Sequence, residues 1–187
     1  MARLLLLGAL ALMESACLLP QDDTVLPDLP PKKNSPLRIL AQTVQPAQRK
    51  TPIVVGAPSP SCPRTEFSLT VADEDLGDPV RSQWYVDPNQ NYEPSATSPV
   101  FNGSPIFGGS AVNRTLTAPP AMLTYLQGLS NAQEHVIEVW VTDGDFVPGP
   151  PTGATRPDRT LPDGTVVEDT AFTDAHVWIV TRVETCP

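Results

Sequence analysis

From Leu37 onward the chain is a series of short apolar runs, each stopped by Pro, Gly, Asn or Asp before it reaches helical length. TEFSLTVA (65–72) places Phe67, Leu69 and Val71 on one face and Ser68 and Thr70 on the other. VRSQWYVD (80–87) does the same with Trp84 and Val86 against Gln83, Tyr85 and Asp87. A period of two puts successive side chains on opposite faces of a strand, so these are half-buried strands. EHVIEVWVTDG (134–144) is the clearest of them, and AHVWIVTRVE (175–184) closes the series. LRILAQTV (37–44) and TPIVVGA (51–57) are shorter and broken by Pro46 and Pro52, as edge strands are. SAVNRTLTA (110–118) is a further short strand, and the Pro- and Asn-rich stretch 88–105 reads as loop. One helix interrupts the pattern. Pro119-Pro120 opens AMLTYLQGL (121–129), whose Met122, Leu123, Leu126 and Leu129 form a stripe ending near Gly128. With 23 prolines and 11 glycines in 187 residues, the expectation is an all-β, antiparallel sandwich rich in turns.

The first residues follow a different rule. Arg3 precedes an apolar run from Leu4 to Met13, too short to span a bilayer and suited to the core of an export signal. Glu14-Ser15-Ala16-Cys17 follows, with small residues directly before the cysteine. This resembles the lipobox of bacterial lipoproteins, although Glu14 stands where that family usually has an apolar residue. The resemblance implies cleavage after residue 16 and a lipidated Cys17. Leu18 after it, with no Asp there, is similar to lipoproteins passed on to the outer membrane of Gram-negative bacteria. Residues 17–36 are then the lipidated cysteine and a flexible tether, since they carry five prolines, scattered charge and no apolar face.

Cysteine parity fits that reading. An exported chain with 3 cysteines leaves one over. If Cys17 takes the lipid, Cys62 and Cys186 remain as a pair in an oxidising compartment.

VADEDLGDPVRSQWYVD (71–87) and HVIEVWVTDGDF (135–146) resemble the B–C and F strands of bacterial Ig-like domains of the polycystic-kidney-disease-repeat and cadherin-like kind. The resemblance implies an Ig-like antiparallel sandwich over residues 37–187, with a long F–G insertion at 145–172. In that order Cys62 and Cys186 fall at the same end of the sandwich. RTLPDGTVV (159–167) inside the insertion carries a Pro-Asp-Gly turn between β-prone runs, as a hairpin does.

Candidate chemistry is sparse. His135 and His176 stand at strand starts, with no Gly-x-Ser-x-Gly elbow, His-Glu-x-x-His or Cys-x-x-Cys to recruit them, and they read as structural or solvent-exposed. The catalytic set is therefore empty. Asp73, Glu74, Asp75 and Asp78 crowd one turn, and Asp143 and Asp145 follow the F strand. The two groups fall at one end of a sandwich, as calcium ligands or, the favoured reading, as turn carboxylates pointing apart into water. No other cofactor is implied. If Trp84, Ile137, Val139 and Val141 point inward, Tyr85 and Trp140 point outward, and Trp178 joins them from the last strand as a binding face. The favoured reading has the 145–172 insertion covering that face. Asn102-Gly103-Ser104 and Asn113-Arg114-Thr115 match the glycosylation triplet by chance, given a bacterial-type signal.

Lys+Arg 12 against Asp+Glu 21 gives a net charge of −9 without a long basic run, which argues against nucleic acid as a partner. The expectation is a non-enzymatic envelope lipoprotein: a membrane-anchored Ig-like module serving adhesion, envelope structure or an envelope protein partner. The alternative is a small-molecule or glycan binder using the outward aromatics.

Overall fold

The computed structural model describes residues 34–47, 52–56, 65–108, 111–151, 153–160 and 163–184. Cys17, Cys62 and Cys186, the export signal and the tether up to residue 33 lie outside the described residues.

Strands β1 (Arg38–Ile39), β3 (Ser68–Ala72) and β7 (Asn113–Thr117) form one sheet in the order β1-β3-β7. The larger sheet runs β2 (Ile53–Gly56), β11 (Thr173–Val183), β8 (Glu134–Thr142), β4 (Pro79–Val86), β5 (Val100–Asn102), with β6 (Ile106–Phe107) pairing the start of β4. Its pairings are antiparallel except that β2 lies parallel to β11, Ile53 opposite Val180. The fold is therefore mostly β, with two sheets on a shared core.

Alternation sets what that core contains. Phe67, Leu69 and Val71 from the small sheet meet Val80, Trp84, Val86, Ile137, Val139, Val141, Trp178 and Val180 from the large one. Trp84 and Trp178 stack with centroids 5.8 Å apart and planes within 8°, and Phe67 presents its edge to Trp178 at 5.4 Å. Both indole N–H groups are satisfied: Trp84 Nε1 donates to Ser82 Oγ (3.1 Å) and Trp178 Nε1 to the Pro46 carbonyl (3.0 Å). Buried indoles need such partners, so the serine at an inward position of β4 is part of the packing.

Helix α1 (Pro120–Gln127) connects β7 to β8 and buries Met122 and Leu126 in the same core. It begins on proline and ends against Gly128, as the sequence implies. The stretch 88–105, expected to be loop, contains β5, because Val100 and Phe101 pair with Tyr85 and Trp84. The expected hairpin exists: β9 (Arg159–Thr160) pairs with β10 (Val166–Val167), and Gly164 takes φ 85° in its turn.

The stacked indoles make the core sensitive to truncation at one position. Trp178→Ala should cost about 3–5 kcal/mol, whereas Val166→Ala on the exposed hairpin should stay within about 0.5 kcal/mol. Urea unfolding of the two variants beside the wild type checks this, and comparable losses in both would refute the packing described.

Candidate functional site

The two acidic turns meet at one end of the sheets, and arginines neutralise them. Arg114 occupies an inward position of β7, opposite Val71 and in phase with Leu116. Its Nη1 lies 3.1 Å from Asp73 Oδ2, and the two side chains are 1% and 0% exposed. The same guanidinium donates to the carbonyls of Asp78 (2.5 Å) and Asp75 (2.9 Å), so it holds the whole 73–78 turn. Gly108 makes room for it, because a Cβ there would collide with the guanidinium and with the Leu76 carbonyl.

Arg156, from the insertion, does the same for the second group. It contacts Asp78 at 2.5 Å, Asp169 at 3.1 Å and Asp143 at 3.7 Å. Asp143 also accepts from the Phe172 backbone (2.7 Å) and from Asn34 Nδ2 (2.5 Å). Asp145 pairs with Arg81 at 3.2 Å, at a more exposed position. Burial pushes the Asp73 carboxyl above its usual range, partly offset by the Asp75 N–H and Arg114. Burial likewise raises Asp143, offset by the Phe172 N–H, Asn34 and Arg156. Burial alone lowers the Arg156 pKa, but the three carboxylates around it carry it above its usual value.

This corrects the favoured sequence reading. Asp73 and Asp143 do not point apart into water: they are 1% and 2% exposed and lie against guanidinium groups. Among the described residues no three His, Cys, Asp or Glu side chains converge as metal ligands.

The outer face of the large sheet carries the second candidate. Tyr85 and Trp140 point outward, with Glu138 opposite Tyr85 in register. Tyr92 comes down on both, edge-on, at 5.2 Å from Tyr85 and 6.4 Å from Trp140. Asn89 builds the turn that presents it: its Oδ1 accepts from the N–H groups of Asn91 and Glu93, and its Nδ2 donates to the Glu93 carbonyl. Tyr92 Oη donates to Glu138 Oε1 at 3.0 Å, and Trp140 Nε1 donates to the same oxygen. Tyr85 Oη donates to Gln83 Oε1 at 2.8 Å. Burial, then the Glu138 charge, raises the Tyr85 phenol to about 12. Burial and the bond to Glu138 raise Tyr92 as well.

Trp178 does not belong to this face. Its partner across β8 is Ile137, an inward residue, and it is fully buried. The aromatics are covered chiefly by Tyr92 from the 87–99 connection; the insertion contributes Val147, Pro148 and Gly149 to the rim of the groove that remains.

The histidines have local roles. His135 Nδ1 lies 2.7 Å from Asp87 Oδ2, while Asp87 also exchanges backbone and side-chain bonds with Val136, which pins the end of β4 to the start of β8. His176 packs 4.6 Å from Trp178, and burial lowers its pKa.

Arg114, Arg156, Tyr92 and Glu138 are the residues that the sequence reading passed over. Arg114 had a signal, a cation in phase with Leu116 on a strand. Glu138 had one too, an acid between Ile137 and Val139 on the same outward face as Trp140.

Two outcomes follow from this geometry. Arg114→Met leaves Asp73 buried without its cation and should destabilise the fold by about 3–5 kcal/mol; adding Asp73→Asn should recover part of that loss in urea unfolding. The Tyr85 phenol ionises near 12 in the fold and near 10 in the unfolded chain. Its stabilising contribution is therefore complete below pH 10 and lost as pH rises towards 12. Phenolate absorbance should show this late titration, and Glu138→Gln should bring it lower.

No family model matches the chain, and no curated protein matches it.

Proposed function

We propose that the chain is a non-enzymatic module of a bacterial cell envelope, an Ig-like sandwich lipid-anchored through Cys17 and used for adhesion, envelope structure or binding an envelope protein. The observation that carries this reading is the strand order. β3 beside β7, facing β4, β8 and β11 in sequence, corresponds to the B–E and C–F–G pairings of Ig-like sandwiches. The parallel β2 beside β11 corresponds to a first strand that crosses to the last one. The arginine-locked acidic end supports a mechanical or binding part over a catalytic one, because its charges are neutralised by one another.

A second reading, a module for a small molecule or glycan, is favoured by one feature. A groove of about 490 Å³ opens beside Tyr85 and Tyr92 on the outer face. That is within the range of roughly 300–1,000 Å³ usual for ligand sites.

Replacing Cys17 with Ser should move the protein from the membrane fraction to the soluble one. Sedimentation of that variant with membranes, as for the wild type, would refute the anchor. Digestion under non-reducing conditions should yield a Cys62–Cys186 linked peptide by mass spectrometry; two free thiols in envelope-derived protein would refute the pair.

A further inference from the structure

We infer that the groove beside Tyr85 and Tyr92 binds an organic cation with an alkylammonium head, a proposal that rests on the small-molecule reading of that groove. Three observations converge on this chemistry. Among the described residues the lining includes Gln83, Tyr85, Asn91, Tyr92 and Glu93, and no Lys, Arg or His. Directly behind the tyrosines stands Glu138, which is 8% exposed. It accepts from two neutral donors, Tyr92 Oη and Trp140 Nε1.

No guanidinium among the described side chains pairs with Glu138. Arg81, Arg114 and Arg156 are committed to the acidic end, and Arg182 donates to the Leu129 carbonyl and Asn131. The carboxylate's field therefore falls on the rings and the groove, and it adds to burial, the larger cause, in raising the Tyr85 and Tyr92 phenols. A phenol donating its proton towards a carboxylate or amide oxygen enriches its ring in electron density, which strengthens the attraction of a cation to the ring face.

The same hydrogen bonds leave a neutral sugar few partners beyond Asn91 and Glu93. Recognition of hydroxyls needs convergent donors and acceptors left free. Here Tyr85 Oη is spent on Gln83, Gln83 Nε2 on Asn102 Oδ1, and Tyr92 Oη on Glu138. Besides the exposed Asn91 amide, the groove still offers the Tyr92 ring, negative potential and the carboxylate of exposed Glu93 at its rim. A quaternary ammonium uses all three and requires no hydrogen-bond partner.

Titration of the exported chain with choline, followed by chemical shifts and calorimetry, tests the proposal. Choline should bind saturably, and its uncharged isostere dimethylbutanol should bind at least about fivefold more weakly. Glu138→Gln, which keeps an acceptor for Tyr92 and Trp140, should weaken choline by a similar factor while leaving the melting temperature near wild type. Tyr92→Leu should abolish saturable choline binding; should that variant fail to fold, the isostere comparison on the wild type still decides. A peptide bearing trimethyllysine, titrated in parallel, separates the sources: tighter binding than choline assigns a protein side chain, and equal or weaker binding assigns a free small cation. Equal affinity for choline and the isostere would overturn the cation proposal, as would no saturable choline binding. If a neutral oligosaccharide then shifts Tyr85 and Tyr92, the small-molecule reading stands without the cation; if nothing binds, both fall.

Discussion

A guanidinium placed at an inward strand position decides how one end of this fold is built. Arg114 cannot be left unpaired in a dry layer, because stripping water from its charge costs several kcal/mol that only close partners return. Asp73 and the carbonyls of Asp75 and Asp78 are those partners, and all three belong to the turn between β3 and β4. The turn's conformation is thus set from the other side of the small sheet, by a residue on β7. Arg156 repeats the device for the insertion, drawing Asp78, Asp143 and Asp169 together. Asp78 therefore shares its backbone with one arginine and its carboxylate with the other. A polar network closes this end, while the paired indoles fill the middle.

Much of the sandwich was legible because alternation needs no knowledge of neighbours. Phe67, Leu69 and Val71 are buried where period two puts them, as are Trp84, Val86, Ile137, Val139 and Val141. The helix announced itself by Pro120 and Gly128 and by the spacing of Met122 and Leu126. Short strands that draw their order from partners were less visible. Val100–Asn102 became β5 because the edge of β4 was open to it, in a stretch whose prolines and asparagines speak for loop.

The face of Trp178 illustrates the limit more sharply. Period two on β11 sorts Trp178 with His176 and Val180, but only the register with β8 says which set faces the core. Trp178 opposite Ile137 settles it. A shift of one residue would have turned the indole outward, and nothing within 173–183 forbids that shift by itself. Charge pairing was hidden for the same reason. Arg156 lies in a proline-rich insertion, and its three acidic partners come from the turn before β4, the end of β8 and the run into β11.

The middle and the end of β8 treat buried acids differently, and the contrast bears on function. Asp143, just past its end, receives a guanidinium, an amide and a backbone N–H. Glu138, in its middle, receives two neutral donors and no cation among the described residues. Glutamine at 138 would accept the same two hydrogen bonds through its carbonyl oxygen without a buried charge. The fold's hydrogen bonding therefore does not require the carboxylate. Local choices that add cost without adding packing concentrate where a protein acts on something else. Glu138 is such a choice, set behind an aromatic groove that holds no basic side chain among the described residues. The charge that the sheet leaves uncompensated is the feature a cationic ligand would complete.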